Sequence, residues 1–438
     1  MNMRDIHARV RHSRIVVPLR ILAGTCALAC AAIMANTPPI KPDHLQLEKV
    51  VMLFRHGVRA PLDGEVADPA LARQPWPTWP VPASVLTPHG REGMRLLGVY
   101  DRELFSARGL LPSTGCPSSG SISIWTNTEQ RTIASGEALA EGLAPDCHLP
   151  VGHQPQDSDD PLFHPLEAHA VPFDAQDAVR SINDQTGGPA YLTAPYRHAI
   201  QQMETILDCR AAGCNIADAP ASLSLSSDGH GIDLKGPIQI TSGTAQVLLL
   251  QYAQGMPLND VGWGRATPAR LAEISRLHAL LFDIYARPDY MARRIAGPLS
   301  RHLLTLFDDA HSPRLNLFVA SDNNIAALTS LLDVHFHIDS YGNDDPPPGG
   351  AFGIAVLRDP TSGKRYVRLF YQAQTLNQLR NLTPLTRKQP PVMLTLIANA
   401  CRVPGTNVCR LADFEALLRR RLDESSAQAH PGNVAATP

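Results

Sequence analysis

His56 stands between two arginines in the stretch Arg55-His-Gly-Val-Arg-Ala-Pro61, which follows directly on the apolar run Val50-Val-Met-Leu-Phe54. The guanidinium groups of Arg55 and Arg59 are planar forks suited to phosphate oxygens. Their charge also disfavours the imidazolium form of a neighbouring histidine, and an uncharged imidazole can attack phosphorus. The chemistry implied is phosphoryl transfer to His56. The bland alternative is a solvated Arg-x-x-x-Arg turn whose histidine merely packs. The apolar strand leading in, with glycine and proline punctuating the turn, argues for the first reading.

Such a group must be aimed, and the surrounding pattern supplies the frame. Leu47 to Phe54 reads as a strand buried on both faces of a mostly parallel sheet. In such a sheet ligands bind outside the carboxyl ends of the strands, where Arg55, His56 and Arg59 fall. Thr87-Pro88 opens a helix through about Ala107, and Ser121 to Trp125 alternates as a second strand before a helix over Glu129 to Gly142. Leu315 to Ala320 is a third strand followed by the helical run Asn-Asn-Ile-Ala-Ala-Leu-Thr-Ser-Leu-Leu. Strands near Ala355 to Leu357, Tyr366 to Tyr371 and Val392 to Leu396 complete the sheet. From residue 175 to 310 the pattern is mainly helical. The expected architecture is an α/β domain built from residues 45–174 and 311–425, with a helical insertion domain over 175–310.

The motif and the segments after it resemble the histidine acid phosphatases of the phosphoglycerate-mutase-like superfamily. The segments "RHGVRAP", "WPTWPV", "LTPHG", "GCPSSGSISIW", "EQRTIASGEALAEGLAPDC", "DPLFHPL", "LLQYAQGMP", "GWGR", "PPPGGAF" and "LTPL" are similar, in order, to pieces of the bacterial periplasmic phytases and glucose 1-phosphate phosphatases. They cover the chain from about Val50 to Arg421. The resemblance implies a phosphoglycerate-mutase-like α/β fold and hydrolysis of phosphomonoesters through a phosphohistidine on His56. It also implies Arg131 as a third phosphate-binding arginine beside Arg55 and Arg59, and Asp322 as proton donor to the leaving group. At one place the chain departs. Ser321 stands where the family has a histidine beside the phosphate, so Ser321 is the candidate for that contact. Losing a charge-assisted donor there would remove about 2–4 kcal/mol of transition-state stabilisation. The readings are therefore an active secreted acid phosphatase or a weakened or inactive phosphate-binding relative.

Substrate choice turns on two further residues. Phytases of this group commonly carry a lysine two places after the motif's proline, and this chain has Leu62-Asp63. A carboxylate there repels a polyanion, which points to sugar phosphates or other simple esters rather than phytate.

Composition bounds the rest. The chain has 438 residues, 44% of them hydrophobic, and a net charge of −2, so it can bury a large core and has no field to attract nucleic acid. Arg4, Arg9, Arg11, Arg14 and Arg20 precede the apolar run Ile21 to Ala35, the layout of a signal peptide over residues 1–35 and hence of a periplasmic or secreted protein. That run is too short for a comfortable membrane span, so no membrane association is expected after its removal. Cys26 and Cys30 leave with it. The remaining cysteines are Cys116, Cys147, Cys209, Cys214, Cys401 and Cys409, an even number that in an oxidising compartment implies disulfides. Cys209 with Cys214 and Cys401 with Cys409 each flank a turn-forming insert, which leaves Cys116 to Cys147. A zinc site is disfavoured because no paired C-x-x-C unit or nearby His-x-x-x-His is present. No cofactor or metal is expected, and the partner is a small phosphomonoester.

Overall fold

The computed structural model describes residues 44–423 apart from 67 and 211–212, so the expected leader over 1–35 lies outside the described residues. The apolar run that leads into His56 becomes the middle of the sheet. β1 (Gln46–Arg55) is buried from Lys49 to its end. Its side chains alternate between two cores, Val51 and Leu53 on one face and Val50, Met52 and Phe54 on the other. That is why the run shows no polar alternation.

On the second of those faces lie α1 (Pro88–Ala107) and, after β2 (Ile122–Thr126), α2 (Gln130–Leu143). Met94 and Leu97 of α1 and Ala138, Leu139 and Leu143 of α2 share the core with Phe54. Thr87 caps α1 by accepting from the Gly90 N–H at 2.9 Å, and proline follows it, as the sequence predicts. A short β3 (Val151–Gly152) precedes the helical stretch α3 (Ala175–Thr186), α4 (Pro189–Thr193) and α5 (Arg197–Leu207). A hairpin that the helical pattern did not anticipate, β4 (Ser222–Leu225) and β5 (Ile232–Lys235), interrupts the helices. The stretch then continues as α6 (Pro237–Ala253), α7 (Pro268–Tyr285) and α8 (Asp289–Asp308). Leu248, Leu277, Phe282 and Leu299 from these helices form a continuous core with Val51 and Leu53 of β1.

The chain then returns to the sheet through β6 (Leu315–Ala320), α9 (Asp322–Leu331), β7 (Ala351–Arg358) and β8 (Arg365–Ala373). It ends with α10 (Leu376–Arg380), β9 (Val392–Leu396), β10 (Cys409–Arg410) and α11 (Leu411–Asp423). The strand order is β10-β8-β7-β1-β6-β2-β3, with β9 also on β8. β1, β2, β3, β6 and β8 run one way, and β7, β9 and β10 the other. The sheet is thus mixed with mostly parallel strands. Its parallel pairings lie on the β1-β6-β2-β3 side, and the β7–β8 side is antiparallel because only a short turn joins those two strands.

Among the described residues the disulfides are Cys116–Cys147, Cys209–Cys214 and Cys401–Cys409, the pairing read from the sequence. Among the described residues no helix is long and apolar enough to cross a membrane.

Candidate active site

Three chemistry-bearing segments meet because three neighbouring strands are parallel. Arg55 at the end of β1 is in register with Ala320 at the end of β6, and Val319 with Thr126 at the end of β2. The residues that follow each strand, His56 to Arg59, Ser321 with Asp322, and Asn127 to Arg131, therefore leave the sheet at one edge.

The turn after β1 is fixed from several sides. The His56 N–H donates to Ala320 at 3.1 Å, its carbonyl accepts from Gly349 at 3.0 Å, and the Arg55 N–H donates to Gly350 at 2.8 Å. The Pro346–Gly350 segment is in this way strapped along the motif. Gly57 is needed because a Cβ there would lie 2.7 Å from the Gly90 carbonyl oxygen of α1 and 2.9 Å from Met94. Its N–H donates to the Ser135 hydroxyl of α2 at 3.1 Å.

His56 is 3% exposed. Its Nδ1 lies 2.9 Å from the Gly57 carbonyl, which can only accept, so Nδ1 carries the hydrogen and the Nε2 lone pair is left for chemistry. Burial, and then the charges of Arg131, Arg59 and Arg55, hold its pKa well below the usual histidine value. The imidazole is thereby kept uncharged in acid, as a nucleophile at acid pH requires.

Each of the three arginines faces a carboxylate. Arg55, 1% exposed, donates through Nη1 to the Pro346 carbonyl at 2.6 Å and places Nη2 2.8 Å from Asp322 Oδ2. Arg59 is gripped in two places by Glu65, Nη1 to Oε2 at 2.8 Å and Nη2 to Oε1 at 2.9 Å. Arg131, in the first turn of α2, donates to Glu129 at 3.0 Å, and His164 Nε2 lies 3.5 Å from the same oxygen. Burial chiefly lowers the pKa of Arg131, with Glu129 acting against it.

Asp322 opens α9, where the helix dipole favours a carboxylate. Burial alone would raise its pKa, but the charges around it, that of Arg55 foremost, prevail and hold it well below the usual carboxylate range. Ser321 is turned elsewhere. Its hydroxyl and N–H both donate to Asn324 Oδ1, at 2.8 and 3.1 Å, and Asn324 Nδ2 donates onward to the Phe163 carbonyl at 2.8 Å.

Sequence reasoning missed Glu65 and a buried pair, His278 and Asp345. The signal for His278 was a single histidine inside the apolar face of a helix, "RLHALLF". Nothing local marked its partner, which is distant in the chain.

Known proteins share this architecture. The family model for the histidine phosphatase superfamily, branch 2, matches residues 46–372. Phytase AppA of Escherichia coli (strain K12) is 33% identical over 397 residues, 84% of this chain and 90% of the relative. Glucose-1-phosphatase of Salmonella typhimurium is 29% identical over 409 residues, 91% of this chain and 97% of the relative. Among solved structures, Hafnia alvei phytase in complex with tartrate superposes with a TM-score of 0.81 at 31% identity, covering 87% of this chain and 98% of that one. The phytase from Citrobacter braakii gives 0.80 at 29% identity, covering 86% and 97%. The chain belongs to the histidine phosphatase superfamily, branch 2. It is a phosphoric monoester hydrolase of the histidine acid phosphatase type, with the phytases and glucose-1-phosphatases as its relatives.

Proposed function

We propose that this protein is a periplasmic or secreted acid phosphatase that hydrolyses simple phosphomonoesters through a phosphohistidine on His56. The observation that carries the reading is the His56 ring itself. It is uncharged, with Nδ1 held by Gly57 and Nε2 without a hydrogen-bond partner among the described residues, and it is influenced by Arg55, Arg59 and Arg131 with Asp322 alongside Arg55. In this mechanism the arginines take the equatorial phosphate oxygens, Nε2 attacks phosphorus in line, and Asp322 gives a proton to the leaving oxygen. Water then releases phosphate from His56. We read residues 175–310 as a helical insertion in the catalytic domain formed by 45–174 and 311–425. Three disulfides and the arginine-led apolar leader support export to an oxidising compartment.

The preference for simple esters is supported by Asp63 and by Glu65, whose carboxylate occupies Arg59. Asp63 adds negative charge and Glu65 takes up a cation, whereas a polyphosphorylated ring needs free cations around the site. Turnover of p-nitrophenyl phosphate, glucose 1-phosphate and phytate by the mature enzyme tests this, and phytate turned over as fast as the others would overturn the preference.

A second reading, a phosphate-binding relative with little turnover, is favoured by Ser321, whose hydroxyl serves Asn324. Ser321→His separates the two. Gain of up to about 10²–10³-fold in turnover is expected if a missing donor is the main defect. An inactive parent with no gain would favour the binding protein.

A further inference from the structure

Within α7, His278 is 5% exposed and stands edge-on to Phe282 with ring centroids 5.0 Å apart. Its Nδ1 lies 2.8 Å from Asp345 Oδ1, and Asp345 is 1% exposed. A carboxylate only accepts, so Nδ1 is the donor and Nε2 is turned toward the other side of the ring. There the nearest carboxylate is Asp322, with Oδ2 3.9 Å away, the same oxygen that faces Arg55. Burying such a pair costs stability that a leucine in an apolar helix face would not cost. The residue after Asp345 is Pro346, whose carbonyl holds Arg55, so one strap sets both the arginine and the carboxylate behind His278. The other groups around the pair are His56 beyond Arg55, and Tyr341 and Tyr371, whose buried hydroxyls have no hydrogen-bond partner among the described residues.

We infer that His278, oriented by Asp345, is a positioning residue that relays protons to and from Asp322, so that an imidazole from α7 serves this site although position 321 is a serine. The inference rests on the phosphohistidine reading. When the ester P–O bond breaks, the phosphoryl group bonds to His56 Nε2 and the Asp322 proton goes to the leaving oxygen. In the same step that carboxyl takes the Nε2 proton of the His278 imidazolium, while Nδ1–H stays on Asp345. In hydrolysis the attacking water gives its proton to Asp322, which returns its own to His278 Nε2. Hydroxide bonds to phosphorus as the P–N bond breaks, and both groups end as they began.

The test compares kcat/KM, which reports steps only through loss of the leaving group, for glycerol phosphate and p-nitrophenyl phosphate. His278→Gln keeps a donor for Asp345 but cannot pass a proton. It is expected to lower the value for glycerol phosphate roughly tenfold or more, to leave p-nitrophenyl phosphate within about twofold, and to move the alkaline limb of the glycerol phosphate profile to lower pH. Asp345→Asn should act in the same direction, less strongly, and guards against a folding defect in the first variant. Equal losses on the two esters, or an unchanged ratio, with His56 still phosphorylated, would overturn the relay alone. Wild-type enzyme that carries no phosphate on His56 would overturn the site reading and the relay with it.

Discussion

Arg55 Nη2 and Asp322 Oδ2 lie 2.8 Å apart, so the arginine proposed to bind phosphate and the carboxyl proposed to protonate the leaving group share one contact. A phosphate that takes Arg55 brings negative charge next to Asp322 and weakens that contact. Both effects raise the proton affinity of the carboxyl. Substrate binding and arming of the acid are coupled through a single guanidinium.

Asp322→Asn should therefore slow esters with poor leaving groups far more than p-nitrophenyl phosphate, roughly 10²-fold against a few-fold. It should also change acid stability. The carboxyl is held below its ordinary range, so its contribution to folding is present above about pH 4 and is lost as pH falls through the folded-state value. Denaturation of the variant should depend less on pH in that acid window.

His56→Ala should abolish turnover, and alkali-quenched wild-type enzyme should carry phosphate on His56; phosphate found on Ser321 would refute the mechanism. A histidine held below its ordinary value takes up its proton later in the folded than in the unfolded chain. Stability then falls as pH drops below about 6.5, by at most about 1.4 kcal/mol per pH unit for this one group. The alanine variant should lose that slope, which urea titrations across the range would reveal.

Glu65→Gln leaves Arg59 buried without its carboxylate, which costs about 3–5 kcal/mol of stability when a buried pair is broken from one side. The same change offers Arg59 to an anion. Phosphate should inhibit the variant about tenfold more tightly and raise its melting temperature more than that of the parent, as competitive inhibition and thermal shift would show.

Asp101 of α1 is 1% exposed and accepts from Gln372 of β8 at 2.9 Å. Burial raises its pKa to about 7 against the lowering effect of Gln372. A carboxyl raised in the fold costs nothing below about pH 4, where both states hold the proton, and costs most above the folded-state value. Asp101→Asn should stabilise the protein at pH 8 by a few kcal/mol and hardly at all at pH 4. An equal change at both would mean that the group does not titrate this way.

Reduction should separate the disulfides by loop length. Cys116–Cys147 spans 31 residues and Cys209–Cys214 only 5. Chain entropy assigns them about 4 and about 2 kcal/mol. Cys116→Ala with Cys147→Ala should therefore lower the urea midpoint more than the Cys209 and Cys214 double variant.

Much of this was legible in the sequence where neighbours in the chain are neighbours in space. Arg55, His56 and Arg59 lie within one turn, and the apolar strand before them announces which end of the sheet they occupy. Asp322 and Arg131 were reached by family resemblance, and parallel pairing of β1, β6 and β2 is what brings their segments together. The antiparallel side was not read because an apolar run does not state its direction. The short turn from Asp359 to Lys364 carries that information, since two adjacent strands so closely joined can only fold back. Glu65 escaped because its grip on Arg59 depends on the loop at Asp63-Gly64. His278 escaped because the residue it faces lies on another helix.

The pairing of Arg55 with Asp322, Arg59 with Glu65 and Arg131 with Glu129 has a kinetic consequence. Three cations against three anions leave this set of groups electrically neutral, so it projects little field beyond a Debye length of about 8 Å in physiological salt. An approaching phosphate ester is captured by short-range exchange of one oxyanion for another rather than drawn in from solution. Its association rate should vary little with ionic strength, and should acquire a salt dependence once Glu65 is neutralised.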